Sequence, residues 1–205
     1  MSFVAIIDYG LCNMDSVARA VKKCGGSPVI TKEVNDIDAA THVILPGVGA
    51  FPDAMRNIRA AGLDIALKRR VLEEHVPFLG ICLGMQLMAA MGEEGEKAEG
   101  LGFIEGEVTL LRPQKDERIP HIGWNQAEHV REHPFLKDVP SGSDFYFVHS
   151  YRFNPVHQED VLATTPYGGG FPSIIGRGTI VGTQFHPEKS QKHGFQLISN
   201  FLSFR

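Results

Sequence analysis

Pro77-Phe78-Leu79-Gly80-Ile81-Cys82-Leu83-Gly84-Met85-Gln86 decides how this chain is read. Pro77 to Ile81 is an apolar run of strand length, and Leu83 to Met91 is apolar nearly all round, the pattern of a buried strand feeding a central buried helix. Cys82 sits at the junction. Gly80-Ile81-Cys82-Leu83-Gly84 fits the nucleophile-elbow pattern G-x-S-x-G with cysteine in place of serine. A sharp strand-to-helix turn brings backbone segments close together, so side chains on either flank would clash, while the turn presents the sulfur outward. The helix N-terminus that follows favours thiolate over thiol. A cysteine taken at random is more often a buried core residue. The paired glycines set Cys82 apart, whereas Cys24 reads as core helix and Cys12 as a loop residue.

Upstream of the elbow, short β-branched runs alternate with amphipathic stretches, the pattern of strands feeding helices in an α/β sheet. Phe3 to Ile7, Pro28 to Thr31 and His42 to Leu45 read as strands. Asn13 to Cys24 reads as a helix stopped by Gly25-Gly26, and helical sequence resumes after Pro52 and from Leu63 to His75. Downstream, from Gly92, glycines punctuate short β-rich pieces such as Phe145 to Val148, which predicts antiparallel or mixed pairing. A late strand over Gly178 to Phe185 leads to His186, and Gly194 to Phe204 has helical spacing.

A thiol nucleophile needs a base, and Gln184-Phe185-His186-Pro187-Glu188 offers one where a strand ends and a carboxylate follows two residues on. In an extended segment, residues i and i+2 share a side, so Glu188 would reach one imidazole nitrogen and leave the other for Cys82. Alone, such a triplet is more often a solvated strand end. His42, His75, His129, His133, His157 and His193 show no such pairing and read as surface or strand-end residues, and no metal site is implied. Pro46-Gly47-Val48-Gly49 is either a tight turn or a source of backbone N–H groups for an oxyanion. A phosphate loop is excluded because neither G-x-x-x-x-G-K-[ST] nor G-x-G-x-x-G is present.

The 205 residues fit one domain spanning the whole chain, and 43% hydrophobic with 21% charged residues is ordinary for a globular protein that folds without a cofactor. A net charge of −4 with scattered Lys and Arg gives no reason to expect nucleic acid or an anionic membrane. Three cysteines with no C-x-x-C spacing argue against a disulfide framework and a structural zinc site. The first apolar run is too short for a signal peptide or a membrane span, so the expectation is a cytoplasmic protein.

The elbow Gly80 to Gln86 and the late Phe185-His186-Pro187-Glu188-Lys189-Ser190 together resemble the class I, triad-type glutamine amidotransferases. Ile7-Asp8-Tyr9-Gly10 with Asn13, Pro46 to Gly49, Pro120-His121-Ile122-Gly123-Trp124-Asn125 and Phe145 to Tyr151 sharpen the likeness to glutaminase subunits of imidazole glycerol phosphate synthase, over essentially the whole chain. The resemblance implies an α/β fold with a central mixed, largely parallel sheet flanked by helices. It implies Cys82 as nucleophile, His186 as acid and base, and Glu188 as the residue orienting His186. Gln86 and the Ser150-Tyr151 backbone would hold the amino-acid end of glutamine. The Gly47-Val48 peptide and the Leu83 N–H would form the oxyanion hole, with Gly49 allowing that peptide to turn. The implied partner is a (β/α)8-barrel cyclase subunit in a heterodimer, facing Asn13, His121, Ile122, Gly123, Trp124, Tyr146 and Lys189; apart from the resemblance, Trp124 reads as plain core. Cys12 stands where the family pattern has a second glycine, so a paralogue feeding ammonia to a sugar-modifying synthase is the alternative. A cysteine peptidase and a non-catalytic binding protein are the readings from other classes.

Overall fold

A computed structural model describes residues 2–11, 14–114 and 116–205. The first half runs β1 (Phe3–Ile7), α1 (Met14–Lys23), β2 (Ser27–Thr31), α2 (Val34–Ala39), β3 (His42–Gly47), α3 (Phe51–Ala60), α4 (Leu63–Lys68), β4 (Phe78–Cys82) and α5 (Leu83–Gln86). The second half is almost all strand: β5 (Met91–Glu94), β6 (Glu96–Glu99), β7 (Gly106–Leu110), β8 (His121–His129), β9 (Ser143–His149), β10 (Tyr151–Pro155), β11 (Val161–Thr165), β12 (Phe171–Arg177) and β13 (Ile180–Thr183), closed by α6 (Gln191–Phe201).

The main sheet has nine strands in the order β2-β1-β3-β4-β13-β12-β11-β8-β9. β2, β1, β3, β4 and β13 are mutually parallel, and every pairing from β12 to β9 is antiparallel. Strands β10, β7, β5 and β6 form a smaller second sheet. The inner parallel strands β1, β3, β4 and β13 are buried on both faces, which is why they read as apolar runs, whereas β2 is an edge strand and largely exposed. Ala5, Ile7, Val43 and Leu45 face a core shared with Ile37 of α2 and Phe51, Met55 and Ile58 of α3. Val4, Ile6, Ile44 and Leu79 face the opposite core, with Val17 and Val21 of α1 and Leu197, Ile198 and Phe201 of α6. Among the described residues no helix is long and apolar enough to cross a membrane.

The antiparallel half curls, bringing the sheet's last strand back to the chain that leaves β13. Phe145 of β9 stacks on Phe185 with ring centres 4.0 Å apart, and the His186 N–H donates to the Tyr146 carbonyl at 3.0 Å. This return closes the space over the carboxyl ends of the parallel strands, the usual place for a site in an α/β sheet.

Several elements differ from the sequence expectations. The helix expected from Leu83 to Met91 stops at Gln86, and Met91 opens β5. Its carbonyls are claimed by a distant loop: the N–H groups of Gly100, Leu101, Gly102 and Phe103 donate to Ala90, Leu87, Ala89 and Met88 at 2.8–3.0 Å. Leu83 to Ala89 are nonetheless buried all round. The late strand spans Ile180–Thr183 only, and α6 starts at Gln191, three residues before the glycine expected to open it. His42 is a strand-end residue, the first of β3, but it is buried in edge contact with Phe201 (5.2 Å) because β3 is an inner strand. Cys24 lies just past α1, half-buried, and its thiol donates to the Phe195 carbonyl at 3.4 Å; Cys12 lies outside the described residues.

The two elbow glycines are required by backbone approach. A Cβ on Gly84 would stand 1.7 Å from the Leu45 carbonyl oxygen, and one on Gly80 would stand 2.6 Å from the Gly84 oxygen. Neither neighbour is a flexible side chain. Gly84→Ala is therefore expected to lower unfolding free energy by about 3 kcal/mol, the upper end of overpacking costs, read as a lower urea midpoint. An unchanged midpoint would mean that α5 and β3 are not held at this distance.

Candidate active site

Strand register brings the sequence-flagged segments together. β4 lies between β3 and β13, with Gly47 opposite Cys82 and Thr183 opposite Ile81. Pro46 to Gly49, the elbow and the segment 184–188 therefore leave three adjacent strands at the same edge. Cys82 itself has φ +55°, a conformation that non-glycine residues rarely adopt and that marks the sharp turn into α5. Its sulfur opens into a cavity of about 470 Å³ lined by Val48, Gly49, Leu83, Gln86, Ser150 and Tyr151 among others.

His186 and Glu188 meet as expected but by a different local geometry. The strand has ended at Thr183, and Pro187–Lys189 is a 3₁₀ turn. Within that turn, His186 Nδ1 is 2.8 Å from Glu188 Oε1, with both side chains at most 5% exposed. Helix α6 packs tightly on the turn, where a Cβ on Gly194 would stand 2.0 Å from the Pro187 carbonyl oxygen. The remaining nitrogen, Nε2, is buried with no hydrogen-bond partner among the described residues. Burial alone lowers the His186 pKa, but the Cys82 sulfur and then the Glu188 carboxylate outweigh it and push it up to about 10. The site thus favours the imidazolium form of His186.

Sequence reasoning missed four residues. Gln184, fully buried, contacts the Cys82 sulfur and Gln86. Ser190 accepts from the Tyr146 N–H (3.0 Å) and donates to the His186 carbonyl (2.6 Å), fixing the turn. Glu94 lines the cavity and accepts from the Phe51 N–H at 2.7 Å; burial raises its pKa. His149 is the fourth. Only Gln184 and Ser190 carried a signal, as polar residues inside or beside the run that holds His186.

His149 belongs to a chain of directed hydrogen bonds. Its Nδ1 donates to the Tyr151 carbonyl (2.8 Å), so its Nε2 accepts from His121 Nδ1 (3.0 Å), and His121 Nε2 in turn accepts from Asn125 Nδ2 (3.2 Å). The Asn125 amide is oriented by its oxygen, which accepts from the Gln126 N–H at 2.9 Å. Both imidazoles are neutral in this arrangement. Burial pushes His121 down to about 4 and, against the Tyr151 hydrogen bond and with the His186 imidazolium adding, His149 down to about 3.

His121 was expected to face a partner, but its side chain points inward, stacked on Tyr167 at 4.0 Å. β8 alternates, so its neighbours point out: Ile122 is 60% and Trp124 50% exposed. Trp124 is therefore not core, and it meets the half-buried Tyr146 edge-on at 6.1 Å. Gly123 is half-buried and Lys189 exposed, while Asn13 lies outside the described residues. The Val48 N–H donates to the Leu11 carbonyl at 2.9 Å and so is turned away from an oxyanion. The Tyr151 carbonyl accepts from both Gln86 Nε2 (3.0 Å) and His149.

The Glutamine amidotransferase class-I family profile matches residues 5–203. The imidazole glycerol phosphate synthase subunit HisH 2 of Nitrobacter winogradskyi is 50% identical over 210 residues, covering 100% of this chain and 99% of the relative. The HisH subunit of Moorella thermoacetica is 46% identical, covering 97% and 93%. Among solved structures, a glutamine amidotransferase superposes with a TM-score of 0.75 at 18% identity, covering 96% of this chain and 98% of its own. PurLQS from Thermotoga maritima superposes at 0.70 and 17% identity, covering 97% and 96%. At these identities the structures speak for the fold.

The buried neutral histidines carry a pH signature. Their folded pKa values lie below the unfolded value of about 6.5, so the unfolded chain binds more protons as pH falls from there towards 4 and 3. Their contribution is present above pH 6.5 and lost on acidification, by about 1.4 kcal/mol per pH unit for each unmatched proton. His149→Gln should give a shallower acid slope in urea unfolding between pH 6 and 4 than the unsubstituted protein, a window set by the same two shifts. Superimposable slopes would mean that His149 is not held neutral by the fold.

Proposed function

The chain belongs to the class-I glutamine amidotransferases, and from that premise we infer that it is the glutaminase subunit of imidazole glycerol phosphate synthase, acting in histidine biosynthesis. It hydrolyses glutamine to glutamate and ammonia within that synthase, alongside the cyclase subunit. The observation that carries the chemistry is the pairing of the Cys82 elbow with His186–Glu188 across adjacent strand ends.

Cys82 attacks the glutamine carboxamide carbon as thiolate. The imidazolium of His186 gives its proton to the departing nitrogen, ammonia leaves, and a glutamyl thioester remains. His186, now neutral, takes a proton from water, whose oxygen attacks the thioester and regenerates the thiolate. Glu188 fixes the imidazole orientation through the 2.8 Å contact at Nδ1 and leaves Nε2 for these transfers. Gln86 spends its amide N–H groups on Tyr151 and Gln184, so its oxygen remains for the substrate's ammonium. Glu94 supplies the matching negative charge, since the Tyr151 carbonyl is already doubly occupied. The Ser150-Tyr151 N–H groups would hold the α-carboxylate.

The oxyanion hole is completed by the Leu83 N–H at the head of α5 and by the Gly47-Val48 peptide once it has turned from Leu11. Gly47 and Gly49 flank that peptide, and Gly49 has φ +106°, with Leu11 Cδ1 3.8 Å from where a Cβ would stand. The resting orientation keeps glutamine turnover low until the partner, holding its own ligand, favours the other one. The partner is read as a (β/α)8 barrel that forms a heterodimer by docking on Ile122, Gly123, Trp124, Tyr146 and Lys189, and receives the ammonia directly. The free thiols of Cys24 and Cys82 suit a reducing cytoplasm.

Glutamate release by the chain alone, then with a cyclase subunit and its ribulosyl ligand, tests the assignment. Strong stimulation is expected, abolished in Cys82→Ala and reduced on the order of 10² to 10⁴ in Glu188→Gln. A chain that reacts at Cys82 yet gains nothing from the cyclase serves a different ammonia acceptor. For the peptide turn, Gly49→Val should lose the stimulated increment, because a β-branched residue narrows the backbone angles through which the loop must turn. Full stimulation in that variant would rule out the turning mechanism.

A further inference from the structure

Gln184 lies between the nucleophile and the substrate clamp, and its amide orientation is settled by the hydrogen-bond pattern around it. Gln86 Nε2 is 3.0 Å from the Tyr151 carbonyl oxygen and 3.0 Å from one terminal atom of the Gln184 side chain. The atom of Gln86 facing a carbonyl must be its nitrogen, and that nitrogen's second N–H needs an acceptor. The Gln184 atom meeting it is therefore Oε1. It follows that the Gln184 NH₂ group faces the other way, towards the Cys82 sulfur at 3.8 Å.

We propose that Gln184 is a fixed donor to the Cys82 sulfur, which supports the thiolate and ties the nucleophile's ionisation to the glutamine clamp at Gln86. This rests on the amidase reading above for its purpose, though not for its geometry. Gln184 and Gln86 are at most 5% exposed, so water does not satisfy the NH₂ group facing the sulfur. A buried amide N–H gains from an acceptor, and a thiolate is a far better acceptor than a thiol. The opposing influence is the Val148 carbonyl, also 3.8 Å from the sulfur, which suits an S–H donor. The sulfur thus sits between one group that prefers it protonated and two, the Gln184 amide and the His186 imidazolium, that prefer it charged. Gln184 cannot turn away easily: its own N–H donates to the Ser173 carbonyl at 2.9 Å, and it follows β13 directly.

The pH dependence of Cys82 alkylation by iodoacetamide measures thiolate directly and does not require glutamine turnover. Gln184→Leu removes the donor facing the sulfur and adds no charge beside it. Its alkylation midpoint should rise by one to two pH units, roughly 10- to 100-fold less thiolate below the midpoint. Its kcat for glutamine should fall with it, while KM changes much less. A purely structural role would leave the midpoint where it was. If the leucine variant does not fold, Gln184→Met serves for the same measurement. On the unsubstituted protein, the side-chain amide ¹⁵N resonance of Gln184 should titrate with the thiol. A midpoint equal to the unsubstituted protein's, or an amide resonance indifferent to the thiol's titration, would overturn the donor role and leave the amidase assignment standing. Loss of glutamine turnover in Cys82→Ala bears on the assignment alone.

Discussion

Everything at this site depends on how closely α5 can approach β3. The Gly84 backbone rests against the Leu45 carbonyl, at a separation that admits no side chain. That contact sets the height of the helix above the sheet, and with it the angle at which β4 must turn. Cys82 absorbs the turn in a strained positive-φ conformation, and the surrounding burial holds it there. Only from that position does the sulfur share a cavity with Val48 on one side and the β9–β10 junction on the other.

The second constraint is strand order. Chain segments separated by more than a hundred residues meet because β13 inserts beside β4, and the antiparallel half then curls until β9 reaches the end of β13. The parallel half supplies the nucleophile and the peptide beside it. The antiparallel half supplies the base, the clamp carbonyl at Tyr151 and the walls at Val148 and Ser150. A site so assembled is rigid where its strands are inner and adaptable where loops cross their ends, which is where the Val48 peptide lies.

The sequence revealed much of this where local pattern and tertiary need coincide. The positions of the first four strands, the elbow and its glycines, and the His186–Glu188 pair were visible in residue type and spacing. What stayed hidden was tertiary. The helix after the elbow is short because the downstream loop at Gly100 to Phe103 takes the carbonyls that would have continued it, and no helical propensity reports that. His121 faces inward while Trp124 faces out because β8 alternates, a register that motif matching does not assign. His149, at the end of β9 in the main sheet, and Glu94, on β5 of the second sheet, became visible only when the fold brought both to the cavity, for each is an ordinary polar residue in its own stretch.

The turn that carries His186 has a second consequence, for self-association. β9 is the last strand of the main sheet, and an open edge of this kind offers unpaired N–H and C=O groups to any other extended chain. At Tyr146 both groups are taken, the carbonyl by the His186 N–H and the N–H by the Ser190 hydroxyl. The same segment therefore acts as a guard rail on the sheet. Damage at Ser190 would reach beyond the imidazole, uncovering a templating edge, and its first symptom would be aggregation.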